Sequence, residues 1–434
     1  MRTFVVMWFG QLVSIIGSGL TAFALGIWVY QRTGSVTKFA LIALCASLPN
    51  IVMLPLAGAL VDRWDRRRTL ILSNVGAGLS TLCIALLLFT DAIGIAHIYV
   101  GMVAISIFSA FQTPAFSATI TLLISKNHYG RASGMWQSAQ AASRIVAPLL
   151  AGLLVTAFEI KGLLLLDFGT YIVAVITLLV VRLPGLKAAG EGEADKGSLW
   201  KEATYGWTFI RQRPGLLVLM FYFAIISFIM SVTQVLFTPL VLSVASVEVL
   251  GVLLSVSGVG FLLGGILMSI WGGPQRRVPG VLGFGLLLGL SIALVGLRPS
   301  VYLMAGGAFL MYFVVPIING CNQVIWQNKT APEIQGRVFA MRQMIGWSLM
   351  PLAYIVAGPL ADKVFGPLMS DGGALAGSLG WLVGEGGGRG IGLLYVVAGL
   401  IAALIPAGAY LYPHLRLVEH ELPDTTVDEV LARV

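Results

Sequence analysis

Apolar runs of roughly 20 residues, each long enough to cross a bilayer as a helix, alternate along this chain with short polar connections. They fall at 4–30, 39–61, 69–90, 96–122, 132–157 and 162–181, and after a polar break at 215–242, 249–271, 278–297, 300–325, 338–362 and 391–412. The pattern predicts an all-α membrane protein of twelve transmembrane helices in two six-helix bundles. An N-terminal bundle covers 1–181, a linker 182–214, a C-terminal bundle 215–412 and a tail 413–434. Within the linker, 185–197 reads as flexible. Leu199, Trp200, Ala203, Trp207 and Ile210 then recur at helical spacing opposite Lys201, Glu202 and Arg211, which suits either a short helix in the membrane interface or an extension of the seventh span. The run at 4–30 is too long for a signal-peptide core and reads as a retained first span.

Composition agrees with that pattern: 58% hydrophobic residues, 11% charged and a mean hydropathy of +0.92 exclude a water-soluble core. The net charge of +8 would suggest nucleic acid in a soluble protein, but here the basic residues sit in short loops. Arg2, Arg63, Arg66, Arg67, Arg68, Lys126, Arg131, Arg276, Arg277, Lys329, Arg337, Arg342 and Arg416 share one side with the linker. Arg32, Lys38, Lys161, Arg298, Lys363 and Arg389 occupy the other. By the positive-inside rule the richer side is cytoplasmic, which places both termini inside an inner membrane, with anionic lipid rather than nucleic acid as the partner.

Several signals lead to no chemistry. Cys45, Cys83 and Cys321 are isolated in apolar runs and read as small core residues, without disulfide or zinc spacing. The histidines, at 97, 128, 414 and 420, form no metal set. The stretch GEGGGRG at 384–390 lacks the Lys-Ser/Thr of a phosphate loop. It reads instead as part of a long outer connection, 365–390, whose Leu379, Trp381 and Leu382 dip into the outer leaflet. The glycosylation triplet Asn328-Lys329-Thr330 falls in a cytoplasmic loop, and the acidic tail at 419–429 reads as a solvated helix or disordered. No cofactor, no metal and no enzymatic activity are expected.

The two halves repeat one another. Gly130-Arg131 opens span five with Gly152 following the Arg by 21 residues; Gly336-Arg337 opens span eleven with Gly358 at the same 21, and each stretch holds a proline, Pro148 and Pro351. Parallel repeats of this kind underlie alternating access, with the substrate site between the halves. The loop between spans two and three carries Gly58, Asp62, Arg63, Arg66 and Arg67, with Asp65 where a second Gly is usual. On these residues the chain resembles the major facilitator superfamily, and within it the branch of macrolide-efflux pumps and enterobactin-type exporters. The resemblance implies that Asp62 latches the cytoplasmic side against the start of span eleven, favoured by a helix dipole worth about 0.3–1 kcal/mol. A bare topology signal is the alternative. The matching turn of the second half keeps Gly265, Arg276 and Arg277 but has Ser269, so the latch is one-sided. Ser143, Ala147, Pro148, Ala151 and Gly152 resemble the antiporter pattern of span five, with small residues on one face for close helix approach and a bend at the proline. The Arg that proton-coupled drug exporters often carry in span four is missing.

Few charges lie inside the spans, and each is expected to face the bundle interior, because a bilayer-centre charge costs at least about 2.5–3.5 kcal/mol. Arg144 lies near mid-membrane, about 20 Å from Arg131 at helical rise. It is either a contact for an anionic or polar substrate group or a structural Arg beside Pro148. Asp167 is either a proton carrier or a polar cap on the outer rim. Gln11, Gln112, Gln140, Gln234, Asn319 and Asn322 are further substrate-binding candidates. Ser14, Ser18, Gln137 and Gln323 lie near them, with Phe108, Phe111, Trp136, Tyr222, Phe228 and Trp326 as aromatic neighbours suited to a large amphipathic molecule. The expectation is a monomeric, proton-coupled exporter of a small molecule such as a drug, a macrolide-like product or a siderophore. An uptake symporter and a non-transporting sensor or accessory protein are the alternatives.

Overall fold

The computed structural model of the 434-residue chain describes residues 2–123, 129–181, 207–330, 334–370, 372–384, 386 and 388–421. Among them all regular structure is helical, and eleven helices are long and apolar enough to cross a membrane. Hydrocarbon offers backbone groups no water, so a spanning segment must satisfy them internally, and helices do so. The chain forms two compact units. One comprises Met1–Gly192 with Ala245–Ser255, the other Glu193–Val244 with Val256–Val434. Of the expected interfacial helix, 207–211 fall among the described residues, as little more than one helical turn.

The first unit contains α1 (Arg2–Thr33), α2 (Val36–Arg63), α3 (Arg66–Phe89), α4 (Ile95–Leu123) and α5 (Tyr129–Val180). Helix α5 packs along α1 and α3, and α4 along α2 and α3. Spans five and six are joined without a loop: they are the two arms of α5, broken at Glu159, whose φ of 53° and ψ of 179° leave the helical region. The second arm supplies the span Ala157–Val180, while Ile145–Val155 in the first forms a shorter apolar stretch. Small residues let the first arm approach α1. Gly19 faces Ala147, the Ser143 hydroxyl donates to the Ile15 carbonyl at 3.1 Å, and Ala151 packs with Leu20, Ala24 and Leu163. The other side of the arm brings Gly152 against Gly251, and the Ser255 hydroxyl donates to the Ile145 carbonyl at 2.9 Å. These contacts are why Ala245–Ser255 groups with this unit.

The second unit contains α6 (Pro214–Leu242), most of α7 (Val247–Trp271), α8 (Arg277–Leu297), α9 (Val301–Asn328), α10 (Gln335–Ser348) and α11 (Met350–Pro359). It continues through a π-helical turn (Leu360–Phe365), α12 (Gly366–Met369), α13 (Ala376–Val383), α14 (Arg389–Tyr410), α15 (Pro413–Arg416) and α16 (Val418–Glu421). Helix α8 packs on α9 and α14, and α6 on α10, α11 and α14. Where α8 crosses α14 the backbones touch: a side chain on Gly289 would collide with the backbone of Ala402 and Ala403, and one on Gly399 with that of Gly289 and Ala293.

Five expectations change here. The run at 338–362 is not one helix: the span Met341–Met369 is interrupted at Leu349 and widens into the π-helical turn. The outer connection is not a plain loop, because α13 folds within it and lays Leu379 and Leu382 on Met369, Val383, Leu393 and Val396, leaving Trp381 exposed. Arg389, expected as an outer loop charge, is 1% exposed; its Nη1 donates to the Val383 carbonyl at 3.2 Å, a cation at the C-terminal end of α13. Of the acidic tail at 419–429, residues 419–421 fall among the described residues, within α16. Leu415 and Val418 are buried, and the Glu419 carboxylate accepts from the backbone N–H of Arg277 at 2.9 Å and of Val278 at 3.1 Å, capping α8. Of the cysteines, only Cys321 is buried; Cys83 is exposed on the apolar surface of α3.

The α8–α14 crossing yields a stability prediction. Gly289→Leu is expected to destabilise the protein by about 1–3 kcal/mol through overpacking, read as a lower Tm of purified protein in detergent. Gly283→Leu on the same helix, where nothing lies within 4 Å, should leave Tm unchanged.

Candidate functional site

A polar nest inside the first unit is built around Asp167, which is 1% exposed. The Thr21 hydroxyl of α1 donates to its Oδ2 at 2.5 Å and the Thr81 hydroxyl of α3 to the same atom at 3.3 Å, while the Thr170 hydroxyl, one turn on, donates to the Asp167 backbone carbonyl at 2.7 Å and lies 3.3 Å from Oδ1. Gly17 leaves room for the carboxyl, since a Cβ there would stand 2.7 Å from Oδ1. Beside it, the Tyr171 and Ser18 hydroxyls are 2.9 Å apart, and Ser18 donates onward to the Ser14 carbonyl at 3.0 Å. Three helices therefore converge on one carboxyl about 12 Å along the second arm of α5 from the Glu159 break. Hydroxyls suit the position because each can donate to a carboxylate or turn to accept from a protonated one.

The threonines were missed by sequence reading, although a signal was present. Gln11, Ser14 and Ser18 begin a polar stripe on α1 that continues to Thr21, and Gln11, Ser14 and Thr21 are buried. Gln11 and Gln112 each keep a buried side-chain amide nitrogen without a hydrogen-bond partner. Gln234 and Asn319 are exposed, whereas Asn322 is buried. Gln140 and Arg144 lie on α5, and their side chains fall outside the described residues, as do those of Asp62 and Arg63 and the surroundings of Gly58.

The remainder of the signature turn is described. Asp65 caps α3, its Oδ1 accepting from the Arg68 backbone N–H at 2.7 Å, so the residue that departs from the family pattern starts the next helix. Arg67 donates from Nε to the Leu178 carbonyl at 3.0 Å and from Nη2 to the Leu179 carbonyl at 2.7 Å. It thereby neutralises the carbonyl end of α5. Arg68 is exposed.

In the second unit, Arg342 donates from Nη2 to Gln323 Oε1 at 2.7 Å and lies over the rings of Trp326 and Phe339. Sequence reading counted this arginine with the basic residues of the cytoplasmic side, near the start of the run 338–362; it is half-buried in α10.

Comparison with known proteins agrees with this architecture. The model of the Major Facilitator Superfamily matches residues 7–354, so the chain belongs to that family of multi-pass membrane transporters. It is 28% identical over 373 residues to Macrolide efflux protein A of Streptococcus pyogenes, covering 83% of this chain and 90% of that protein. It is 24% identical over 366 residues to Multidrug efflux pump Tap of Mycolicibacterium fortuitum, covering 82% and 88%. Among solved structures, the nucleoside transporter NupG superposes with a TM-score of 0.72 at 12% identity over 95% of this chain and 100% of that one. A bacterial homologue of the human lysosomal transporter Spinster gives 0.70 at 16% identity over 96% and 97%. These two likenesses establish the shared fold.

The Asp167 nest yields a stability prediction of its own. Thr21→Val keeps the shape and removes the shortest bond to the carboxyl, and is expected to lower stability by about 1.5–3 kcal/mol, measured by thermal unfolding in detergent. Thr90→Val, at an exposed helix end, serves as the control and should change little.

Proposed function

We propose that the chain is a secondary exporter of an amphipathic small molecule, driven by the proton gradient through alternating access of its two halves. The observation that carries export is the likeness to Macrolide efflux protein A across 90% of that protein's length; the similarity to a multidrug efflux pump supports it. Drug-like, macrolide-like or siderophore-like cargo is the substrate class. The distribution of Lys and Arg supports an inner-membrane location with both termini cytoplasmic. The protein is proposed to work as a monomer.

Asp167 is the proposed proton carrier. It is buried, enclosed by hydroxyls that can reverse their hydrogen bonds, and held between three helices whose small relative shifts would change its access to water. Gln11 and Asn322, which are buried, and Gln112, which is half-buried with an unpartnered amide nitrogen, are the proposed substrate contacts. Arg144, Gln140, Gln234 and Asn319 complete the candidate set on sequence position. Asp62 and Arg63, with Gly58 and Arg66, are proposed as the inner gate; Arg67 supports that turn through α5.

The test is transport in liposomes. Wild-type protein should move a macrolide or a cationic dye against its gradient when a proton gradient is imposed, with direction set by the sign of that gradient. Asp167→Asn should slow gradient-driven movement by about tenfold or more, a barrier change of at least about 1.4 kcal/mol, while substrate exchange without a gradient persists. Full gradient-driven transport by Asp167→Asn would remove the carrier role. No movement by wild type under any gradient would remove the exporter reading.

A further inference from the structure

The second unit contains a group of buried polar atoms that its own fold leaves unsatisfied. Arg342 on α10 is pinned to α9: Nη2 is engaged by Gln323, and the guanidinium carbon lies 5.4 Å from the Trp326 ring centroid and 5.1 Å from that of Phe339. Its other terminal nitrogen, Nη1, is buried without a hydrogen-bond partner. So is the indole Nε1 of Trp326, a residue with 0% exposure, and so is the Oδ1 of Asn322, one turn earlier on the same buried face of α9. Among the described residues no carboxylate forms a salt bridge with Arg342; the ion pair found there joins Lys161 and Asp91.

Each buried donor left unmet costs about 1–3 kcal/mol, more when charged, and native proteins satisfy such groups with protein, water or ligand. A cation held at fixed orientation, two unmet donors from different side chains and no described counter-charge make a receptor for negative charge. Guanidinium groups bind oxyanions through paired N–H bonds, and the stacked rings hold the plane in place. We propose that Arg342, Trp326 and Gln323 form a binding site for an oxyanion, a carboxylate or a phosphate, with Asn322 Oδ1 accepting from a hydroxyl or N–H on the same ligand. The oxyanion belongs either to a free solute or to a lipid headgroup. The site lies within one unit and its occupancy is read without any gradient, so it stands or falls independently of the export reading.

Purified full-length protein tests this by thermal shift at matched ionic strength, which holds screening constant. Benzoate and inorganic phosphate in neutral detergent probe the free solute. Nanodiscs of phosphatidylcholine with and without phosphatidylglycerol probe the headgroup. The expected result is a saturable rise in Tm with benzoate or phosphate, or a rise confined to phosphatidylglycerol, which assigns the source. Arg342→Gln should weaken the response by about tenfold or more, and Trp326→Phe, which keeps a ring but removes the orphaned N–H, by about three- to tenfold. Arg416→Gln, on the exposed tail, should match wild type. No response of wild type to either source overturns the proposal, as does an undiminished response in Trp326→Phe. The latter variant decides the matter if Arg342→Gln does not fold.

Discussion

A bilayer core contains no water to satisfy a polar group, and this molecule is organised by that constraint. Every spanning segment is helical so that backbone bonds close locally. Where helices must touch without a hydrophobic drive between them, side chains shrink: Gly19 to Ala147 in the first unit, Gly289 and Gly399 in the second. Charges near helix ends follow the same logic. Asp65 meets the free N–H groups of α3, Glu419 those of α8, and Arg67 and Arg389 meet free carbonyls at the ends of α5 and α13.

Against this background, Asp167 and Arg342 are the two ionisable side chains whose settings suggest work. Asp167 is well provided with donors: the Thr21 and Thr81 hydroxyls bond its carboxyl, and the Thr170 hydroxyl lies beside it. Each of those hydroxyls is also a possible acceptor, so the nest is compatible with either protonation state at the cost of rotating O–H bonds. Arg342 is under-provided, with part of its fork unmatched. The first arrangement suits a group that exchanges a proton. The second suits a group that awaits a partner. Both lie within single units, so neither property requires the other half of the chain to be in a given position.

Much of the fold was legible because hydrophobic periodicity and run length are local. The apolar runs located the spanning helices, and the break between the runs 132–157 and 162–181 was legible, although its closure into a kink at Glu159 was not. The signature turn and the Gly-Arg starts pointed to the family that residues 7–354 match. Asp167 stood out as a charge in an apolar run, but its partners did not: Thr21 is 146 positions away and Thr81 is 86, and spacing along one helix does not say which other helix will face it. Arg389 was misread as a loop charge, and the inward setting of Arg342 went unseen, for a related reason. Arg389 opens α14 and Arg342 lies seven residues into α10, and run length does not tell a side chain that folds back into the bundle from one that reaches water. Helix α13 escaped notice because glycines at 377, 380 and 384 weaken its local pattern, and its formation rests on packing with Met369, Leu393 and Val396.

The central claim is that Asp167 takes up and releases a proton in the working protein. Difference infrared spectroscopy of protein in liposomes reads this directly through the carbonyl stretch of a protonated carboxyl. The account predicts a band that appears on acidification, disappears on raising the pH, is absent from Asp167→Asn and changes its midpoint when substrate is added. A spectrum with no such band at any pH, or one identical in Asp167→Asn, would contradict it.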